Sequence, residues 1–132
     1  MQSGAPIPQG LRVLVVDDEA MIRTLVRRVL GAEGCQVEEA SSGDEALAAF
    51  EAALARGEPF QLVVTDLGIE GPNGRELAAR IRGTVPDLFV VLLTGRSDDD
   101  APSDGVDRVH HKPCGPTEIR ALLAAARAHR GA

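Results

Sequence analysis

The chain has 132 residues, which is enough for one domain with its own hydrophobic core and too few for two. Its net charge of −6 argues against direct binding to nucleic acid or to an anionic membrane, because a phosphate-binding face must be basic. No apolar run approaches the roughly 20 residues of a membrane span, and residues 1–6 lack the basic-then-apolar form of a signal peptide, so the sequence favours a cytoplasmic protein.

Strands and helices are predicted to alternate from residue 10 onwards, after a short leader. Residues 1–9 are rich in Gly, Pro and Gln without any period, which is typical of a flexible leader. Short, continuous apolar runs then indicate strands that are buried on both faces of a sheet. These runs cover residues 11–16, 62–66 and 89–94, and weaker strands are predicted over 36–40 and 107–111.

Helices are predicted between these strands, where apolar residues recur with the period of an α-helix. In the clearest example the apolar positions of residues 20–32 lie at i, i+3, i+4, i+7 and i+8, and Gly34 ends the helix. Asn73 can cap a helix that we expect Gly83 and Pro86 to stop. The predicted helices cover residues 20–32, 44–56, 74–82 and a final stretch from residue 116. This alternation predicts an α/β fold over residues 10–131, with a five-stranded parallel sheet and helices on both faces.

Polar side chains follow four of the predicted strands, at the point where each strand ends. The run over residues 62–66 ends at Asp66, and the others end at Asp17-Asp18, Thr94 and Lys112. Because the carboxyl ends of parallel strands meet at one edge of a sheet, where ligands bind, we expect these side chains to lie together.

This grouping predicts a site for a divalent cation and a phosphoryl group. Three carboxylates in close proximity repel one another, and Mg²⁺ is a natural counter-ion because it binds carboxylate oxygens and keeps positions for phosphate oxygens. Asp66 is the candidate nucleophile, since carboxylates can form aspartyl phosphates. Thr94 could hydrogen-bond a phosphoryl oxygen, and Lys112 could pair with it as a point charge. Each residue taken singly is more often a turn or cap residue, but four strand ends with this chemistry are hard to explain by capping.

These motifs resemble those of the receiver domains of bacterial two-component response regulators, over about residues 10–130. The resemblance rests on the run from Val15 to Glu19, on Asp66 with Gly74 eight positions later, on Thr94-Gly95 and on Lys112-Pro113. It implies a flavodoxin-like fold with strand order 2-1-3-4-5.

The resemblance also assigns roles to individual residues. It implies that Asp66 is the phosphoacceptor, and that Thr94 and Lys112 contact the phosphoryl group. It further implies a magnesium ion held by Asp18 directly, by Asp17, by Asp66 and by the backbone carbonyl of Gly68. The implied partner is a sensor histidine kinase or a histidine phosphotransfer protein, and the resemblance allows a weak homodimer. Catalysis would be limited to the domain's own phosphorylation and dephosphorylation.

The sequence departs from the family pattern at three places. Val109 stands where most members carry an aromatic residue, and Glu70 stands where the loop after the phosphoacceptor usually has a proline. Thr94 and Lys112 are only 18 positions apart, a few fewer than usual, so the helix normally found between the fourth and fifth strands is shortened as in an atypical subset of the family. We expect a mobile acidic loop over residues 96–105 instead of that helix, one that orders on phosphorylation.

Two other functions compete with a phosphorylation switch. A magnesium-dependent aspartyl-phosphate phosphohydrolase usually carries two aspartates spaced by one residue after its first strand, plus a cap domain, whereas Asp17 and Asp18 are adjacent. A flavodoxin-like FMN carrier needs aromatic residues to stack on the flavin, and the chain has no Trp, no Tyr and three Phe. The phosphohydrolase is the stronger of these two alternatives.

Overall fold

A computed structural model describes residues 11–95 and 105–131 of the chain. The predicted leader over residues 1–9 lies outside these ranges, as does the predicted loop over 96–105 except for Gly105. In the described residues, strands and helices alternate as far as the fourth strand, and a fifth strand and a last helix complete the order. They are β1 (Arg12–Val16), α1 (Ala20–Ala32), β2 (Gln36–Ala40), α2 (Gly43–Ala55), β3 (Leu62–Asp66), α3 (Gly74–Thr84), β4 (Phe89–Thr94), β5 (Arg108–His111) and α4 (Pro116–Gly131).

All five strands are parallel and lie in the order β2-β1-β3-β4-β5, which confirms the predicted topology. The three central strands are the three strong apolar runs of the sequence, and β3 and β4 are buried almost throughout. The charged strand β2 and the short strand β5 form the two edges, where one face can meet solvent.

Alternate residues of the central strands supply two hydrophobic cores, one on each face of the sheet. Val13 and Val15 of β1 pack with residues of α1 and α4 on one face. Leu14 and Val16 pack with residues of α2 and α3 on the other. Both cysteines, Cys35 and Cys114, are free and buried in the first of these cores. Among the helices in the described ranges, none has the length and apolar character needed to cross a membrane.

Helix ends follow the predicted signals, with one correction in α3. Gly34 has a φ of 91° and follows the last turn of α1, as a closing glycine should. Asn73 and Glu76 form a reciprocal capping box at the start of α3. The predicted end at Arg82 is two residues early, because α3 continues through Gly83 to Thr84 and ends just before Pro86, the second predicted stop signal. The break comes at Val85, which leaves the helical conformation with φ −128° and ψ 89° directly before Pro86, where the α-helical region is disfavoured.

Candidate functional site

The ends of β1, β3 and β5 bring three of the predicted site residues into direct contact. The Nζ atom of Lys112 lies 3.0 Å from Asp17 Oδ2 and 3.3 Å from Asp66 Oδ1. The chain contains no other lysine. These groups are separated by up to 95 positions in sequence, and the parallel register alone brings them together. Among the described residues, the cluster therefore places the Lys112 ammonium between a carboxylate of β3 and a carboxylate that follows β1.

Asp17 is fully buried, and each of its polar groups has a partner. Its amide donates to the Ala40 carbonyl at 3.1 Å, and its Oδ1 accepts from the Glu19 amide at 2.9 Å. Its Oδ2 accepts from Lys112, and its backbone carbonyl accepts from Arg23 Nη1 at 2.7 Å. Burial raises the pKa of the Asp17 carboxyl, although the Glu19 amide and Lys112 both act in the opposite direction. A buried carboxylate therefore depends on Lys112 for its counter-charge.

Lys112 shows the complementary effect. Burial alone would lower its pKa, but the hydrogen bond to Asp17 and the charges of Asp17 and Asp66 outweigh burial, so the pKa of Lys112 is raised. The ammonium group is therefore held in its charged form. It is a fixed positive charge within 3.3 Å of an Asp66 oxygen, in a position to attract an anionic group.

A second acidic group lies beside this cluster, at the start of α1. Asp17, Asp18 and Glu19 each offer one carboxylate oxygen, and the three oxygens lie within 4.8 Å of one another. Asp18 and Glu19 are exposed, so the group opens to solvent. Hard oxygen donors in this arrangement match the ligands that Mg²⁺ prefers.

The acidic group contains one carboxylate that the predicted metal-binding set lacks. Glu19 was absent from the predicted set, yet it belongs to the acidic group and its Oε1 lies 3.5 Å from Lys112 Nζ. The sequence did carry a signal for Glu19, because it is the third consecutive acidic residue after β1. Asp66 is instead paired with Lys112 and is not one of the three carboxylates grouped within 4.8 Å.

Thr94 and Gly68 lie at the same edge of the sheet, because one ends a strand and the other follows a strand closely. Thr94 is the last residue of β4 and is buried, and its carbonyl accepts from the Lys112 amide at 2.8 Å. Gly68 is exposed in the loop that follows Asp66. Every predicted site residue thus lies at the carboxyl ends of the strands or in a loop that leaves them.

Close packing explains why a glycine begins α3. A Cβ atom at Gly74 would lie 2.5 Å from the Asp66 carbonyl oxygen and 2.7 Å from Leu92 Cδ1. The Gly74 amide donates to the Leu67 carbonyl at 3.0 Å, which brings the chain back under Asp66. The glycine eight positions after Asp66 therefore lets the helix start directly against the backbone of the candidate nucleophile.

The loop between Asp66 and α3 is also attached to α2. The Gly43 amide donates to the Glu70 carbonyl at 2.8 Å, and a Cβ atom at Gly43 would lie 2.1 Å from the Pro72 carbonyl oxygen. This contact holds the loop close to α2 even though Glu70 replaces the usual proline.

An apolar hollow lies on the exposed side of α1, next to the acidic group. Its volume is about 360 Å³, and its lining is mainly apolar. Met21, which lines it, is 84% exposed, whereas large hydrophobic side chains are otherwise buried or half-buried in the described residues. The hollow is lined by Ala20, Met21, Thr24, Leu25 and Arg28.

Comparison with known proteins gives consistent matches. The sequence profile of the response regulator receiver domain matches residues 13–124. The transcriptional regulatory protein AruR of Pseudomonas aeruginosa is 35% identical over 104 residues, which are 79% of this chain and 40% of AruR. The chain spans less than half the length of the curated relatives it matches.

Solved structures agree with the sequence comparison. A response regulator receiver domain protein from Clostridium thermocellum superimposes with a TM-score of 0.79 at 25% identity, covering 92% of this chain and 97% of that one. The chemotaxis response regulator CheY4 of Vibrio cholerae gives a TM-score of 0.76 at 25% identity, covering 89% of this chain and 98% of CheY4.

Proposed function

This chain belongs to the receiver domain family of response regulators, whose members act as phosphorylation-dependent switches in two-component signalling, and we propose that Asp66 is its phosphoacceptor. The observation that carries this proposal is the contact of Lys112 Nζ with both Asp66 and the buried Asp17. The donor would be the phosphohistidine of a sensor histidine kinase or of a histidine phosphotransfer protein.

The proposed chemistry needs only groups at the carboxyl ends of the strands. A carboxylate oxygen of Asp66 bonds to phosphorus while the P–N bond of the donor phosphohistidine breaks, and the released imidazole takes up a proton. Lys112 pairs with a phosphoryl oxygen because its charge is already held at Asp66. Thr94, at the end of the adjacent strand β4, donates its hydroxyl to another phosphoryl oxygen. Hydrolysis of the same acyl phosphate would reset the switch, and no other enzymatic activity is proposed.

A magnesium ion completes the proposed site. The acidic group of Asp17, Asp18 and Glu19 supplies hard oxygen donors, and the Gly68 carbonyl and Asp66 are the further ligands expected from the family. When bound, Mg²⁺ neutralises negative charge on the phosphoryl oxygens. Asp18, which is exposed, would hold the ion directly, and the buried Asp17, which is paired with Lys112, would assist it.

We place the docking surface for the kinase or phosphotransfer protein on the apolar hollow of α1. The hollow begins at Ala20, directly after Glu19, so a partner helix seated there would lie beside the acidic group. Met21→Asp should block transfer from a phosphorylated partner and leave labelling by acetyl phosphate unchanged. Ala48→Asp is a suitable control, because Ala48 is exposed on α2, on the opposite face of the sheet.

Direct DNA binding is not proposed for this domain. AruR is named as a transcriptional regulator, but this chain spans only 40% of it, and the chain has a net charge of −6. The cytoplasmic setting and the weak homodimer expected from the sequence remain parts of the proposal.

Phosphorylation by acetyl phosphate tests the assignment of Asp66. Intact-mass spectrometry should show one added phosphoryl group that depends on Mg²⁺ and is lost in Asp66→Asn. Asp44→Asn, at an exposed aspartate in the first turn of α2, is the matched control and should label normally. Labelling of Asp66→Asn at another residue would refute the assignment, and steady turnover of p-nitrophenyl phosphate would favour the phosphohydrolase.

A further inference from the structure

Arg23 links the acidic group to the edge strand of the sheet. It lies in the first turn of α1, and its side chain is only 18% exposed. Its Nη1 donates to the Asp17 carbonyl oxygen at 2.7 Å, and its Nε donates to Glu39 Oε1 at 3.1 Å. One planar guanidinium thus bridges the end of β1 and a carboxylate of β2.

Glu39 is a firm anchor for this guanidinium. It lies on β2 directly beside Val15 of β1, in the parallel register of the sheet. Its second oxygen, Oε2, is 2.7 Å from Arg27 Nε, one helical turn after Arg23. The two arginines therefore hold both oxygens of Glu39, and this pairing accounts for a half-buried acidic residue in an edge strand.

The contact with the Asp17 carbonyl controls the direction in which the chain leaves β1. That carbonyl and the Asp18 amide belong to the same planar peptide unit, so fixing the oxygen fixes the plane from which Asp18 emerges. The other polar groups of Asp17 are held by Ala40, Glu19 and Lys112. Within the described residues, the Arg23 side chain donates to the oxygen of the peptide that leads to Asp18.

We propose that Arg23 is a positioning residue for the divalent-cation site: by bridging Glu39 and the Asp17 carbonyl, it orients the Asp17–Asp18 peptide so that the carboxylates of the acidic group converge. This inference rests on the proposed function, and it concerns a residue that contacts neither the ion nor the phosphoryl group. Residues that orient metal ligands in this way typically change metal affinity by about 10-fold or more when they are replaced.

A positioning role and simple electrostatics predict opposite changes in Mg²⁺ affinity when Arg23 is replaced. Arg23 carries a positive charge near the acidic group, so by Coulomb's law its removal should strengthen cation binding. Positioning predicts weaker binding, because the ligands lose their orientation. Arg27 is the matched control, since it has the same charge, the same helix and the same partner Glu39, and Arg23 is the one bonded to Asp17.

The test is a Mg²⁺ titration of the whole chain, followed by backbone amide NMR because the protein has no Trp or Tyr to report binding by fluorescence. We expect Arg23→Gln to bind Mg²⁺ about 10-fold more weakly than the wild type, and Arg27→Gln to bind at least as tightly. In the metal-free spectra, the amides of Asp18 and Glu19 should shift in Arg23→Gln and stay in place in Arg27→Gln. Arg23→Lys should also weaken binding, because one ammonium cannot reproduce the two-sided contact.

The possible outcomes separate the two proposals. Wild-type affinity in Arg23→Gln, or full rescue by Arg23→Lys, would overturn the positioning role and leave the proposed function intact. A wild-type chain that binds no Mg²⁺ would overturn both. Thermal melts without metal check folding, and if Arg23→Gln does not fold, the comparison of Arg23→Lys with Arg27→Gln decides the question, with weaker binding by Arg23→Lys supporting the role.

Discussion

Replacing Lys112 with Met should destabilise the metal-free protein at neutral pH, because it leaves the buried Asp17 without its counter-charge. The Lys112 side chain is 18% exposed and the Asp17 side chain 1%, so the pair is largely shielded from water. Removal of one partner from a buried ion pair typically costs about 3–5 kcal/mol. Met keeps most of the apolar stem, so the loss reports on the charge.

Protonation of Asp17 limits the part of this loss that comes from its uncompensated charge. Asp17 without its partner can take up a proton instead of remaining ionised. Keeping a carboxyl with an ordinary pKa of 3.8 protonated costs about 1.4 kcal/mol for each pH unit above that pKa, which is about 4 kcal/mol at pH 7. We therefore expect a loss of about 3–4 kcal/mol at pH 7, equivalent to a fall of about 10 °C in Tm.

The pH dependence follows from the same limit. In the variant, the folded-state pKa of Asp17 is raised further above its unfolded-state value. Folding stability is therefore fully present below the unfolded-state pKa and is lost as the pH rises through the folded-state pKa. The difference between wild type and variant should therefore shrink as the pH is lowered from 7 towards about 5. Mg²⁺ should stabilise the variant more than the wild type, because the ion replaces the missing positive charge.

Urea unfolding followed by circular dichroism measures these differences. Asp17→Asn combined with Lys112→Met should recover most of the loss, since both charges are then gone. Arg56→Met is the control for an exposed cation near two carboxylates, Glu38 and Glu58, and should cost less than about 1 kcal/mol. If Lys112→Met lowered the free energy of unfolding by less than about 1 kcal/mol, or by the same amount at pH 7 and at about pH 5, the dependence of Asp17 on Lys112 would be refuted.

Three further predictions test other parts of the site. Gly74→Ala should lower the free energy of unfolding in urea melts by about 2 kcal/mol or more, because the new Cβ would lie 2.5 Å from the Asp66 carbonyl oxygen. Gly83→Ala, in the same helix with nothing within 4 Å of its Cβ, should instead stabilise the protein by about 0.5–1 kcal/mol, and equal effects of the two changes would contradict the packing explanation. Asp66→Asn should change metal-free stability by less than about 1 kcal/mol, because the lost attraction to Lys112 is offset by relief of repulsion among carboxylates; a loss of several kcal/mol would mean that Asp66 holds the fold. Burial, reinforced by neighbouring positive charge, lowers the pKa of His110 below its ordinary value of 6.5, so folding stability should fall as the pH drops below 6.5. The fall should be smaller in His110→Gln, and identical plots of unfolding free energy against pH for the two proteins would count against this account.

The sequence alone determined the parallel sheet and the grouping of most predicted site residues at one edge, and its resemblance to receiver domains added the strand order. Strands such as Leu62–Asp66 are short apolar runs whose burial on both faces is a local property, readable without knowledge of their neighbours. Once the strands are parallel, their carboxyl ends must meet, so Asp17, Asp66 and Lys112 could be grouped before any distance was known.

The tertiary structure decided the features that depend on distances between remote residues. The bridge from Arg23 to Glu39 and the Asp17 carbonyl requires the register of β1 against β2, which the charged sequence of β2 does not reveal. The need for glycine at Gly74 follows from how closely α3 approaches the end of β3. A sequence pattern reports which face a residue presents, whereas an ion pair or a steric contact depends on tenths of an ångström that only the packed chain defines.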